Sequence, residues 1–147
     1  MTSIDRVVTL EKVTGTGVQI RALYEILIKR THNISNTAHP PLKEHIKFVK
    51  NHPYRVWYLI KANSNYIGSV YLMENNCVGI NLIVDFDPFP NIVKKIIKKH
   101  KPLKEIKSVR PPYFYINVAP NNKEIENQLM RLNARKIQST FILTATE

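Results

Sequence analysis

The stretch RVWYLIKANSNYIGSVYLMENNCVGINLIV, residues 55–84, contains three apolar runs separated by two short asparagine-rich breaks. The runs cover 55–62, 66–73 and 77–84, and they are rich in β-branched and aromatic residues. Asparagine favours tight turns because it tolerates the left-handed backbone conformation. Runs of this composition on either side of such turns are typical of β-hairpins. The stretch therefore predicts a three-stranded antiparallel meander.

Helix and strand patterns alternate on both sides of this meander. The predicted elements, in chain order, are a strand at 6–13, helices at 18–29 and 42–50, the meander, a helix at 91–100, a strand at 113–118, a helix at 123–132 and a strand at 136–146. A meander combined with βα units predicts one α/β (α+β) domain over residues 1–147. Its sheet should be mixed and covered by helices on both faces.

The net charge of +11 is concentrated in one part of the chain. Residues 92–110 hold eight lysines and arginines against one glutamate, and so contribute +7. Such a segment can attract nucleic acid, anionic lipid or a phosphorylated small molecule, or it can be a solvated helix face. The segment contains no aromatic residue, which argues against base stacking on single strands. Nucleic-acid binding through it should be non-specific.

Cysteine, histidine and hydropathy patterns exclude several classes of protein. Cys77 is the single cysteine, so no disulfide can form within the chain, which fits a reducing compartment. The five histidines have no zinc-site spacing, so no metal is expected. No secretion signal and no apolar run of about 20 residues is present, so we expect a cytoplasmic protein without a membrane span. His45 is interpreted as a structural residue of its helix.

Three stretches resemble the GNAT family, the acetyl-CoA-dependent N-acetyltransferases, and the resemblance extends over roughly residues 6–144. They are EHIKFVKNHPYRVWYLI with the following IGSVYL (44–60 and 67–72), VGINLIV (78–84) and YINVAPNNKEIENQLMRLNARKIQ (115–138). The first is similar to the subgroup that acetylates nucleotide-linked amino sugars in bacteria. The resemblance implies a mostly antiparallel sheet of six to seven strands.

The same resemblance implies where the cofactor acetyl-CoA would bind. The fourth and fifth strands, at 77–84 and 113–118, should lie parallel and splay apart at their C-terminal ends. The pantetheine arm would lie between them and pair with exposed strand backbone. The implied cofactor-binding residues are Leu82, Ile83, Val84, Asn91, Ile92, Asn117 and Asn122.

The loop DFDPFPN, residues 85–91, departs from the family pattern. The family has an Arg/Gln-x-x-Gly-x-Gly/Ala motif here, and its three fixed positions fall on Asp87, Pro90 and Ile92. Prolines remove amide donors and aspartates repel a diphosphate, so acetyl-CoA binding should be weak. Gln128 and Leu129 stand near the place of the family's tyrosine acid, so no catalytic residue is assigned.

The resemblance also implies a small primary amine as acceptor, with an amino sugar as the specific candidate. The polar loop 31–41 follows the first helix and would form one wall of the acceptor cleft. The implied substrate contacts are Asn33, His39 and Trp57, with Trp57 in the sheet core as the alternative. Two other functions remain open: a GNAT-like binding module without catalysis, and a basic protein that binds nucleic acid.

Overall fold

The protein is described by a computed structural model over residues 7–30 and 39–145. These residues form four helices and one five-stranded sheet. The elements are β1 (Val8–Lys12), α1 (Gly17–Lys29), α2 (Leu42–Lys50), β2 (Val56–Ala62), β3 (Asn65–Leu72), β4 (Cys77–Leu82), α3 (Phe89–Lys99), β5 (Tyr115–Ile116) and α4 (Lys123–Arg131). The strands lie in the order β1-β2-β3-β4-β5.

The predicted meander is confirmed, since β2, β3 and β4 pair antiparallel with one another and β1 adds to the outer side of β2. The first turn uses Asn63 at φ 53° and Ser64 at φ 70°. The second turn uses Asn76 at φ 74°. The asparagine-rich breaks therefore provide the left-handed residues that these hairpins need.

The sheet has one hydrophobic cluster on each face, because successive strand residues point to opposite sides. Tyr58 and Ile60 belong to the cluster that contains residues of α3 and α4. Trp57 and Leu59 belong to the cluster that contains residues of α1 and α2. The expected arrangement, a mixed sheet with helices on both faces, is confirmed.

The fourth and fifth strands separate as expected. They are parallel, and they pair only at Cys77 with Tyr115 and at Val78 with Ile116. Beyond these residues β4 continues to Leu82 without β5 beside it. A groove therefore opens between the two strands.

The expected number of strands is not found. The described residues form five strands, not six or seven. The strand predicted at 113–118 is reduced to Tyr115–Ile116, because the splay leaves the rest without a neighbour on β4. Residues 136–145 form no strand, because no sheet edge in the described ranges pairs with them.

Candidate functional site

Two adjoining grooves lie around β3 and β4. The strand groove, between β4 and β5, encloses about 290 Å³ and is lined by Gly79 to Leu82 on one side and Ile116 to Ala119 on the other. The helix groove, between α1, α2 and the sheet, encloses about 460 Å³. Arg30, Tyr71 and Asn81 line both grooves, so the grooves meet at these side chains.

The register of the sheet brings the shared residues together. Tyr71 pairs with Trp57 on one side and with Gly79 on the other, so its ring points to the same face as Trp57. A Cβ atom at Gly79 would collide with the Tyr71 ring. Because glycine leaves this space free, the phenol ring lies across β4 at the junction of the grooves.

A stacked aromatic pair fixes the orientation of Tyr71. Its ring is 4.0 Å from that of Tyr54, centroid to centroid, and the planes differ by 9°. Burial raises the pKa of Tyr71, and the nearby Cys77 thiol raises it further. Burial also raises the pKa of Tyr54 to about 12. Both hydroxyls are therefore protonated at neutral pH, and Tyr71 can donate a proton or a hydrogen bond at the junction.

His45 of α2 forms part of the helix groove and is 5% exposed. Burial lowers its pKa, and a smaller opposing effect comes from a hydrogen bond with the backbone of Ile20. Nε2 is buried without a partner among the described residues, so the bond to Ile20 uses the other nitrogen, Nδ1. The neutral ring therefore carries its proton on Nδ1 and a lone pair on Nε2.

Two further buried polar atoms line the helix groove without a partner in the described part of the chain. They are Nε1 of Trp57 and Nε of Arg30. Leaving a buried donor unpaired costs about 1–3 kcal/mol, so unpaired groups are rare in native proteins. Together with His45 Nε2, three unpaired polar atoms lie in one groove, which makes this groove the candidate site for a polar ligand.

Five of the candidate cofactor residues divide into two groups. Leu82, Asn117 and Asn122 line the strand groove. Asn122 also caps α4 by accepting a hydrogen bond from the Ile125 amide at 3.2 Å. Ile83 and Val84 pack instead against the two hydrophobic clusters, one on each face of the sheet.

The loop before α3 forms hydrogen bonds within itself. The Asp87 amide donates to the Asp85 carboxylate at 3.0 Å, and the Phe89 amide donates to the Phe86 carbonyl at 3.0 Å. The Ile92 amide donates to the Pro88 carbonyl at 3.1 Å, and its side chain is fully buried. The Ile92 amide is therefore engaged within α3, and the assignment of Ile92 to the cofactor site stays a prediction.

The remaining candidates differ in their surroundings. Asn91 is exposed in the first turn of α3. Trp57 lines the helix groove although it is only 7% exposed. His39 is exposed and precedes Pro40, which lines the same groove. Asn33 lies outside the described residues.

The residues at the junction could not be identified from the sequence. Tyr71 and Asn81 resemble ordinary strand residues, and only the cross-strand register shows that they share a face. His45 had one usable signal, a titratable side chain on an apolar helix face. Its unpaired Nε2 could not be read from the sequence.

The described ranges, 7–30 and 39–145, show neither a cluster of metal ligands nor a helix suited to span a membrane. They contain no group of three or more histidine, cysteine, aspartate or glutamate side chains placed to hold a metal ion. None of their helices combines the length and the apolar composition that crossing a membrane requires.

A mixed sheet with parallel fourth and fifth strands that part over a groove defines a GNAT-like fold. The structure is similar to the crystal structure of an aminoglycoside acetyltransferase from an uncultured soil metagenomic sample in complex with sisomicin. The TM-score is 0.55 and the sequence identity 11%, over 95% of this chain and 97% of that chain. No family model and no curated protein matches the sequence. At this identity the likeness shows the fold alone.

Proposed function

We propose that the protein is an N-acetyltransferase that transfers an acetyl group from acetyl-CoA to a small primary amine, with amino sugars as the acceptor class. The observation that carries this proposal is the meeting of the two grooves at Arg30, Tyr71 and Asn81. A reaction between two substrates needs both reacting groups held next to each other. The strand groove would hold the acetyl donor and the helix groove the amine.

The strand groove suits the pantetheine arm of acetyl-CoA. Beyond Val78 the backbone of β4 no longer pairs with β5, so its amides and carbonyls can bond to the amides of the arm. Leu82, Asn117 and Asn122 would line the arm. The bound donor supplies a thioester carbonyl that an amine can attack.

The loop at 85–91 suits the diphosphate of the donor less well. Its hydrogen bonds are directed inward, and Pro88 and Pro90 lack amide protons. Lys94 and Lys95 on the exposed side of α3 would offset part of this loss. We therefore expect weak binding of acetyl-CoA.

Two residues have the protonation states that the proton transfers require. His45 is neutral at neutral pH because burial lowers its pKa, so Nε2 can accept a proton from the acceptor amine. Tyr71 is protonated because burial raises its pKa, so its hydroxyl can donate to the departing thiolate. We assign these as the base and the acid of the reaction.

The walls of the helix groove favour a sugar-like amine as the acceptor. Tyr54 and Trp57 give aromatic surface, which packs against sugar rings. Glu44 is an exposed carboxylate in the same groove and attracts an ammonium group. The similar solved structure is that of an aminoglycoside acetyltransferase, which supports the same class.

The test is to follow thiol release from acetyl-CoA with aminoglycosides, nucleotide-linked amino sugars, polyamines and peptides. We expect turnover with an amino sugar, and turnover confined to peptides would reject the acceptor class. Tyr71→Phe should lower kcat by about 10²-fold. Tyr113→Phe is the matched control, since this tyrosine is 47% exposed and lines neither groove.

The role of His45 is tested by the pH profile. Protonation of His45 should reduce kcat/KM in the acid range, and the low pKa places this fall below the usual histidine range. His45→Gln should lower activity and abolish the fall. His52→Gln is the control, because burial lowers the pKa of His52 as well but it lines neither groove.

The inward hydrogen bonds of the loop favour a second candidate function, a GNAT-like binding module without catalysis. Calorimetry separates the two candidates. Acetyl-CoA that neither binds nor is turned over with any acceptor would reject the transferase and favour the binding module, whereas binding with turnover would establish the transferase.

A further inference from the structure

The connection from α3 to β5, residues 100–114, contains one isolated β-bridge and no helix, yet hydrogen bonds fix its shape. The Asn76 side chain bonds to the backbone of Leu103 and Pro111. The Arg55 guanidinium donates to the Lys101 carbonyl at 3.1 Å. Because Arg55 directly precedes β2 and Asn76 directly precedes β4, the connection lies across one end of the sheet.

A closed turn occupies residues 106–110 of this connection. The Ile106 amide donates to the Arg110 carbonyl at 2.9 Å, and the Arg110 amide donates to the Ile106 carbonyl at 2.8 Å. Ser108, inside the turn, has φ 66°. Ile106 is 46% exposed and Val109 68% exposed, and Lys107 between them is exposed as well. The backbone bonds therefore hold two large apolar side chains in solvent beside a lysine.

Lysines flank this turn with positive charge. Lys101, Lys104 and Lys107 are exposed, and one glutamate is the single acid among residues 92–110. The guanidinium of Arg110 is already bound to the carbonyls of Lys104 and Glu74, at 2.7 and 3.0 Å. The charges left for a ligand are therefore mainly those of lysines. A lysine ammonium is a hydrated point charge that attracts phosphate without the planar geometry of arginine.

The last turns of α3 repeat the combination of apolar and basic side chains. Ile97 is 58% exposed, and the exposed Lys94 lies three residues earlier on the same side of the helix. Single exposed apolar side chains are ordinary on a soluble protein. Here Ile97, Ile106 and Val109 lie within a stretch that also holds five lysines, at 98, 99, 101, 104 and 107. Residues 94–110 therefore present a surface that is both basic and apolar.

We propose that residues 94–110 dock this protein on the anionic surface of a lipid bilayer, with Ile106 and Val109 below the headgroups and the lysines at the lipid phosphates. Such a bilayer carries negative charge at its surface and apolar chains directly beneath, which complements both properties of this surface. Nucleic acid complements the charge alone. Its phosphate backbone offers no apolar partner to isoleucine or valine, and residues 92–110 have no aromatic ring to stack on bases.

Docking in this way would leave both grooves open. None of the described residues between 90 and 115 lines either groove. The turn lies at the end of the sheet where β4 begins, whereas the strand groove opens toward the end of β4. The inference therefore does not depend on the proposed function.

The test is co-sedimentation of the full chain with vesicles of phosphatidylcholine, alone or with about one third phosphatidylglycerol. We expect the anionic vesicles to bind at least about tenfold more tightly than the neutral ones. Ile106→Ser combined with Val109→Ser should weaken that binding at least about fivefold, because it removes the inserted side chains and keeps the charge. Val18→Ser combined with Ile28→Ser on α1 is the matched control, at sites 61% and 46% exposed, and should have no effect.

The competing partner, nucleic acid, is tested with a duplex oligonucleotide in the same buffer. Duplex binding without vesicle binding would assign the surface to nucleic acid and overturn the proposal. Equal binding to anionic and neutral vesicles would overturn it, because the lysines would then have no role. Vesicle binding that the Ile106/Val109 double change leaves intact would overturn it as well.

A fluorescent reporter tests which side chains enter the bilayer. Trp57 is the single tryptophan and is only 7% exposed. Val109→Trp adds an exposed indole, whose emission should shift to shorter wavelength with anionic vesicles because the ring leaves water. Val18→Trp is the control and should show no shift. An unshifted Val109→Trp spectrum in the presence of bound vesicles would place the contact elsewhere and overturn the proposal.

Discussion

At the scale of single residues, Gly79 decides the shape of the candidate site. Any side chain here would meet the ring of Tyr71, which is held by its stacking on Tyr54. Packing therefore requires glycine at position 79, and its place in an apolar strand does not reveal this requirement. Tyr71 in turn links the two grooves.

We predict that Gly79→Ala displaces the Tyr71 ring and lowers acetyl transfer at least about tenfold, with a loss of stability of about 1–3 kcal/mol. Gly17→Ala is the control, because a Cβ there has no atom within 4 Å. Turnover and urea midpoints measure both effects. Full activity in Gly79→Ala would show that the ring position does not matter for the reaction.

A second prediction concerns Glu11. Its carboxylate accepts hydrogen bonds from Gln19 Nε2 at 2.9 Å and the Tyr66 hydroxyl at 2.8 Å, with Lys61 Nζ at 3.8 Å. The bond from Gln19, then that from Tyr66, lowers the pKa of Glu11 below its ordinary value. The stabilisation is therefore complete above the unfolded pKa and is lost as pH falls through the lower folded pKa.

Glu11→Gln should accordingly destabilise the protein at about pH 7 and much less at about pH 2.5. Urea midpoints at the two pH values measure the difference. Glu126→Gln serves as the control, because its pair with Lys123 is exposed and contributes little. An equal cost of Glu11→Gln at both pH values would contradict this assignment.

At the scale of elements, a side chain of the second hairpin turn forms three of the hydrogen bonds that hold the segment between α3 and β5. Asn76 is fully buried, and its amide nitrogen donates to the carbonyls of Leu103 and Pro111 at 2.9 and 2.8 Å. Its side-chain oxygen accepts from the Leu103 amide at 2.8 Å. The turn therefore fixes the segment that delivers β5 to the sheet.

We predict that Asn76→Ala costs about 2–4 kcal/mol, because it leaves buried backbone groups unpaired and puts alanine at φ 74°. Asn133→Ala is a partial control, since Asn133 also has a positive φ, 64°, but is exposed. Urea denaturation gives both values. Equal costs would assign the effect to backbone strain rather than to the hydrogen bonds.

The loop before α3 gives a prediction about the donor. Asp87→Gln combined with Pro90→Gly should tighten acetyl-CoA binding about tenfold, because it removes a repulsive charge and restores an amide donor. Pro102→Gly combined with Glu105→Gln makes similar changes in an exposed segment and should have no effect. Calorimetry measures the dissociation constant of acetyl-CoA for each protein. An unchanged protein that binds acetyl-CoA as tightly as the Asp87/Pro90 double variant would refute this interpretation.

At the scale of the whole molecule, the charge of +11 is spread unevenly. The lysines of α3 at 94, 95, 98 and 99 are all exposed, whereas Ile92 and Ile96 of the same helix are buried. Lys101, Lys104 and Lys107 after α3 are exposed as well, so the positive surface covers this helix and the segment that follows it. It can bind polyanions without involving the grooves.

We predict that any nucleic-acid binding is non-specific and weakens at least about tenfold between about 50 and 200 mM salt, through counterion release. Lys94→Ala with Lys98→Ala should reduce the salt slope, whereas Lys43→Ala with Lys47→Ala on α2 should not. Fluorescence anisotropy with two unrelated oligonucleotides measures this. Sequence-selective binding at high salt would instead support a nucleic-acid function.

The sequence by itself determined the features that depend on neighbours along the chain. The meander follows from apolar runs rich in β-branched and aromatic residues and from turns that use Asn63 and Asn76, and these signals are local. The start of α1 is equally local, because Thr16 and Gln19 cap it reciprocally. The parallel, splayed fourth and fifth strands were expected from the resemblance and are present.

Only the tertiary structure decided the features that need a partner distant in sequence. Residues 136–145 have a strand pattern, but a strand forms only where a sheet edge accepts it, and the pattern does not show whether an edge does. The junction of the grooves also depends on distant partners. The strand register places Tyr71 over Gly79, and α2 brings His45 to the same face of the sheet. Side chains that meet across strands and helices are positioned by packing, which a sequence encodes only collectively.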